Sequence, residues 1–218
     1  PILTTTIVTV YGSNFLNVST LQCRFNSTIS VLATFIDSSI LTCISPAISI
    51  NIYTMDSNSF EIVPFEISAN GEDWIFNNTI TYEYYNELSF TSIFPILGSI
   101  NGGTIITITG NNFLPVVTLQ CRFNSTLITY AHYISNSTLT CISPEVSVSD
   151  FVFIELSMNG IEWVNNTDIQ FKYVKPLSIQ SIEPFGGVIY GGTKITINGD
   201  NFINVTTLLC RGNSTTIV

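Results

Sequence analysis

Gly110 to Thr126 reads GNNFLPVVTLQCRFNST, and the stretch occurs twice more: GSNFLNVSTLQCRFNST at Gly12–Thr28 and GDNFINVTTLLCRGNST at Gly199–Thr215. Each copy has a Gly-x-Asn-Phe turn, a short alternating segment, a cysteine and an Asn-Ser-Thr sequon. A repeat of this kind decides the architecture. Gly12 to Gly110 is 98 residues and Gly110 to Gly199 is 89. That period matches one immunoglobulin-sized sandwich of roughly 100 residues and exceeds the roughly 20–45 residues of solenoid units.

Ahead of each turn lies a strand signal. Ile105-Ile106-Thr107-Ile108-Thr109 alternates so that Ile106 and Ile108 face one way and the threonines the other; Ile195 and Ile197 repeat the pattern, and Ile7–Tyr11 aligns with both. This is a half-buried antiparallel strand with a wet outer face. The second and third copies add lead-ins, Leu88–Thr104 and Leu177–Thr193, each with a proline (Pro95, Pro184) and a Gly-Gly-Thr bend. The first copy lacks one, so the chain is expected to start inside a domain.

In Leu119-Gln120-Cys121-Arg122-Phe123 the odd positions share a face, as do Leu21, Cys23 and Phe25. This predicts apolar side chains inward and Arg24, Arg122, Asn26 and Asn124 toward water. A second cysteine follows twenty residues on, within LTCISP: Cys43 after Cys23 and Cys141 after Cys121. Inward cysteines at one spacing in two copies read as one disulfide per domain, on neighbouring strands, worth about 3 kcal/mol in loop-closure entropy. Cys210 is expected to pair with a partner beyond the chain end. After Pro46 and Pro144 the copies diverge; nine extra residues around Tyr53–Pro64 read as a loop or extra hairpin. They rejoin at Phe65–Trp74 and Ile154–Trp163, where Asn70-Gly71 and Asn159-Gly160 signal hairpins. A last strand follows, with Ile80, Tyr82 and Tyr84 matched by Ile169, Phe171 and Tyr173. The near absence of linkers predicts abutting domains with restricted hinging.

The string Pro-x-x-Gly-x-x-x-Gly-Gly-Thr-x-Ile-Thr-Ile-x-Gly-x-Asn-Phe resembles the IPT/TIG domain (immunoglobulin-like, plexins, transcription factors). Pro184, Gly187, Gly191, Gly192, Thr193, Ile195, Thr196, Ile197, Gly199, Asn201 and Phe202 carry it, as do Pro95, Gly98, Gly102, Gly103, Thr104, Ile106, Thr107, Ile108, Gly110, Asn112 and Phe113. The first copy keeps Val8, Thr9, Val10, Gly12, Asn14 and Phe15. The resemblance implies an all-β chain of tandem immunoglobulin-like sandwiches. Expected boundaries are 1–86 (a domain lacking its first strand), 87–175 (complete) and 176–218 (the N-terminal part of a third).

The family spans receptors, DNA-binding factors and accessory modules of carbohydrate-active enzymes, so function rests on this chain's own chemistry. With a net charge of −9 and six basic residues, the chain has no Lys and Arg cluster to neutralise phosphates, so no nucleic-acid partner is expected. No apolar run approaches the roughly 20 residues of a membrane span. His132 is the only histidine, the acidic residues do not converge, and no CxxC occurs, so no catalytic, metal or cofactor site is expected. Trp74 and Trp163 read as hairpin packing ahead of a sugar platform. Asn-x-Ser/Thr sequons stand at Asn17, Asn26, Asn77, Asn124, Asn136, Asn165, Asn204 and Asn213; Asn26, Asn124 and Asn213 are equivalent, Asn77 matches Asn165, and Asn17 matches Asn204. Sequons with disulfides imply a secretory-pathway product, extracellular and carrying N-linked glycans. Three roles fit: a structural or adhesive filament or stalk of a cell coat, touching copies of itself head to tail; the ectodomain of a membrane-anchored recognition receptor binding a cell-surface protein in trans; and an accessory module of a carbohydrate-active enzyme. The filament is the leading expectation.

Overall fold

The computed structural model describes residues 6–47, 60–205 and 208–211. They form sixteen strands and no helix. The first repeat contributes β1 (Ile7–Tyr11), β2 (Gln22–Phe25), β3 (Ile29–Asp37), β4 (Ile40–Ile44), β5 (Phe60–Ser68) and β6 (Ile75–Tyr85), paired in the order β1-β4-β3-β2-β5-β6. Of Tyr53–Pro64, expected to form a loop or extra hairpin, 53–59 lie outside the described residues, and Phe60–Pro64 belong to β5, paired with Thr81–Tyr85.

The turn at Asn26-Ser27 shows how sequence sets the register. Both residues have positive φ, 53° and 52°, and the Thr28 N–H donates to the Phe25 carbonyl oxygen at 3.3 Å. Two consecutive left-handed residues make the turn whose twist suits a tight hairpin, and asparagine tolerates that region. Phe25 therefore pairs with Ile29 and Cys23 with Val31. Further along β3, Ala33 pairs with Cys43. So β3 hands over from β2 to β4 and folds one continuous ladder into two layers.

The disulfide reports that fold. Cys23 and Cys43 are bonded, but their strands are not neighbours: each pairs with β3. In a flat sheet two strand spacings separate them by about 10 Å. The Cα atoms are 6.4 Å apart, within the span a disulfide closes, so β2 and β4 are folded toward each other about β3. Around it lie buried Leu21, Phe25, Leu41 and Phe65, with Tyr82 and Tyr84 packed against them. The rings of Phe25 and Tyr82 meet edge to face at 5.2 Å.

The second repeat contributes β7 (Ser89–Phe94), β8 (Leu97–Ser99), β9 (Ile105–Asn111), β10 (Gln120–Phe123), β11 (Leu127–Ser135), β12 (Thr138–Ile142), β13 (Phe151–Ser157) and β14 (Val164–Val174), ordered β7-β9-β12-β11-β10-β13-β14-β8. Its lead-in supplies β7, which pairs with β9, and β8, which runs parallel to β14. Phe94–Pro95 is a cis peptide, as is Glu183–Pro184 at the equivalent place in the third repeat. Ile106, Ile108, Leu119, Phe123, Leu139, Ile154, Leu156, Phe171 and Tyr173 are buried, and Phe171 and Tyr173 meet edge to face at 5.1 Å. The Tyr173 hydroxyl donates to the Pro144 carbonyl oxygen at 3.0 Å, and Tyr84 does the same to Pro46. Burial is the main cause that pushes both phenols up to about 12.

The hairpins announced by Asn-Gly close through side-chain caps. Gly71 and Gly160 have φ of 81° and 75°. Asn70 Oδ1 accepts from the N–H groups of Glu72 and Asp73, and Asn159 Oδ1 from those of Ile161 and Glu162. The third repeat shows β15 (Ser178–Glu183) paired with β16 (Thr196–Asp200).

Candidate functional site

The motif asparagine is a built position. Asn14, Asn112 and Asn201 all have φ near 60°. Asn112 Nδ2 donates to the Glu87 carbonyl oxygen at 2.8 Å, and Asn201 Nδ2 to that of Pro176 at 2.8 Å. The side chain thus ties the Gly-x-Asn-Phe turn to the residue just ahead of the repeat's first strand. Asparagine is the residue that tolerates left-handed φ and also donates from a short amide.

The arginines expected toward water are held on the protein instead. The Arg24 guanidinium lies 4.0 Å from the Trp74 ring centroid while its Nε donates to Glu66 Oε2 at 2.5 Å. Arg122 lies 4.1 Å from the Trp163 centroid and grips Glu155 with Nε at 2.7 Å and Nη2 at 3.1 Å. Register brings them together: Arg24 is opposite Glu66 and Arg122 opposite Glu155, and each tryptophan closes the next hairpin. Glu66 and Glu155 are each only 8% exposed. The Arg122 hydrogen bond, helped by its charge and by Ser125, holds the Glu155 carboxyl below the usual range against the opposing effect of burial. Each set is a neutralised stack that fastens a hairpin to the sheet. Alternation correctly places these arginines on the outer face; it carries no information on the partners, which lie 33–50 residues away.

Cys121 and Cys141 are bonded like Cys23 and Cys43, with Cα atoms 6.3 Å apart. Cys210 is exposed and free. Asn26 and Asn124 sit exposed at equivalent hairpin tips. Asn17 and Asn204 are exposed in equivalent loops, where the second repeat has Pro115. Asn136 is half-buried in the β11–β12 turn, and Asn213 lies outside the described residues. The expected match of Asn77 with Asn165 is off by one residue. Phe76 pairs with Glu66 and Asn165 with Glu155, so the structural counterpart of Asn77 is Asn166. The bonds agree: Asn77 Oδ1 accepts from the Thr79 N–H, and Asn166 Oδ1 from the Asp168 N–H, both at 3.0 Å. His132 is an exposed residue of β11.

Among the described residues no group of three His, Cys, Asp or Glu stands close enough to hold a metal ion, and no helix is long and apolar enough to cross a membrane. A hollow of about 310 Å³ in the third repeat, between Pro184 and Ile195, is lined by glycines, apolar side chains and Thr193, with no titratable group.

Three relatives match this chain over short parts of their own much longer chains. Plexin-A4 of Danio rerio is 28% identical over 130 residues, 60% of this chain and 7% of that protein. Fibrocystin-L of Mus musculus is 30% identical over 129 residues, 57% of this chain and 3% of that protein. Plexin-A2 of Homo sapiens is 31% identical over 121 residues, 55% of this chain and 6% of that protein. The chain therefore spans less than about a tenth of the length of these relatives. Among solved structures, the full extracellular region of plexin A4 superposes with a TM-score of 0.47 at 13% identity, covering 94% of this chain and 17% of that one. A surface glycan-binding protein from Prevotella bryantii gives 0.34 at 17% identity, covering 77% and 36%. The IPT/TIG domain model matches residues 1–84, 88–173 and 177–218. With those three matches, and the Gly-x-Asn-Phe turn built alike in each, the chain belongs to the IPT/TIG domain family.

Proposed function

We propose that this chain is a segment of the extracellular region of a cell-surface recognition or adhesion receptor, with repeats at 1–86, 87–175 and 176–218, and that the whole protein binds a protein partner in trans. The succession of three IPT/TIG matches in this chain, together with its partial similarity to plexins, carries the reading. The two buried disulfides support it, because such bonds persist in oxidising compartments. The segment supplies spacing and contact surface and performs no reaction. The relatives favour this receptor over the filament or stalk of a cell coat. An antibody against the segment, applied to intact unpermeabilised cells, tests the reading, followed by electron microscopy of the native material. Surface labelling with discrete membrane-attached rods is the expected result. Long regular fibres restore the filament, and labelling only after permeabilisation refutes an extracellular place.

A further inference from the structure

Four of the sequon asparagines gather beside β5 and β13, whereas Asn17, Asn136 and Asn204 lie in other loops and turns. On the first repeat the Asn26 N–H donates to the Pro64 carbonyl oxygen at 3.0 Å, which seats the β2–β3 turn beside β5. Across β5, residues 77–80 bulge out of β6 opposite the single residue Phe65. Asn26 and Asn77 therefore flank one point of β5 at about two strand spacings, roughly 10 Å. On the second repeat the Asn124 N–H donates to Phe153 at 3.0 Å. Asn165 pairs with Glu155, two residues along β13. All four asparagines are exposed. Asn77 uses Oδ1 to accept from the Thr79 N–H and hydroxyl at 3.0 and 2.8 Å; the Nδ2 to which a sugar attaches is not part of either bond. Of the strands, only β6 and β14 contain a sequon asparagine, Asn77 and Asn165; Asn26 and Asn124 stand in the β2–β3 and β10–β11 turns.

We propose that Asn26, Asn77, Asn124 and Asn165 carry N-linked glycans, placed in pairs on either side of β5 in the first repeat and beside β13 in the second. The assignment rests on the extracellular reading above. In the transfer, Asn Nδ2 forms a bond to the anomeric carbon of an oligosaccharide held on a lipid diphosphate. The bond from that carbon to the diphosphate oxygen breaks, the lipid diphosphate leaves, and one Nδ2 proton passes to the transferase's base. The glycans flank exposed apolar side chains, Ile62 and Phe76 on one repeat and Phe151 and Phe153 on the other.

The test is site-resolved glycopeptide mapping of the full-length protein from its own cells, with peptide-N-glycosidase release in H₂¹⁸O to mark each formerly glycosylated asparagine. Label at Asn26, Asn77, Asn124 and Asn165, with half-buried Asn136 unlabelled, is expected. Glycans at other sequons but not at these four overturn the assignment while leaving the protein a secretory product. No glycan anywhere, with free thiols at Cys23 and Cys121, overturns the extracellular reading as well. Thr28→Ala and Thr126→Ala, in the full-length chain, keep the turn asparagines and remove only the sequons. Each is expected to lower the apparent mass by one glycan, and an unchanged mass says the asparagines serve the turn alone.

Discussion

Replacing Cys121 and Cys141 together by alanine tests the two-layer argument where it is most quantitative. The bond closes a loop of 20 residues. Loop-closure entropy for that length destabilises the unlinked protein by about 3 kcal/mol at 25 °C. Both side chains are almost completely buried, so deleting each sulfur adds on the order of 1 kcal/mol of lost burial. The expected loss is about 3–5 kcal/mol, and with a urea m-value of about 2 kcal/mol/M the midpoint falls by roughly 1.5–2.5 M. The assay is urea unfolding followed by Trp163 fluorescence in a Trp74→Phe background, so that the signal comes from the second repeat. The first repeat, probed by Trp74 in a Trp163→Phe background, is expected to keep its midpoint. A fall of less than about 0.5 M in the second repeat refutes the claim that the bond pins two layers. An equal fall in both refutes the claim that each repeat has its own core.

Acidification gives a signed test of the Arg122–Glu155 pair. Because the Glu155 carboxyl is held low in the fold, its contribution is full above the unfolded value of about 4.3 and is lost as pH falls through the lower folded value. Glu155→Gln should therefore lower the urea midpoint at pH 7, and the gap to the parent should narrow as pH falls below the unfolded value and through the lower folded one. At the alkaline end, Tyr84 and Tyr173 are held up to about 12. Their folded values lie above the unfolded value of about 10, so stability is complete below it and falls as pH rises toward 12; absorbance at about 295 nm should show a late phenolate step that Tyr84→Phe with Tyr173→Phe removes. Asn112→Ala loses both the 2.8 Å bond to Glu87 and easy access to its φ of 61°, about 2 kcal/mol in all. Asn112→Gly recovers the conformational share but not the bond, so its urea midpoint should fall between those of the parent and Asn112→Ala.

Much of this architecture is legible in the residues. Alternation around Ile106, Ile108, Leu119, Cys121 and Phe123 names the inward faces, because the side-chain period of a strand is two and one face meets the core. The cysteine pairs follow from spacing repeated in two copies. What alternation cannot carry is which strand lies opposite. It sends Arg24 and Arg122 outward, yet Glu66 and Glu155, with Trp74 and Trp163, arrive through the β2–β5 and β10–β13 registers. The mismatch at Asn77 and Asn165 has another cause: the identical Asn-Asn-Thr strings are displaced by one residue, since Asn77 stands three residues after Trp74 and Asn165 two after Trp163, and the strand pairing agrees. The role of Asn14, Asn112 and Asn201 is hidden for another reason. A turn asparagine reads as a conformational choice, whereas the bond from Asn112 or Asn201 reaches a residue 25 positions back.

The bend in β3 and its bridge have a mechanical meaning for any chain that links a cell to something outside it. If tension pulls a repeat open, the residues between Cys23 and Cys43 cannot be drawn out, nor those between Cys121 and Cys141. Each bond withholds 20 residues, which at about 3.5 Å per extended residue is roughly 70 Å of slack per repeat. Once a repeat is open, reduction of the bond, which is buried in the fold, would release that length, turning a short tether into a longer one without breaking the chain.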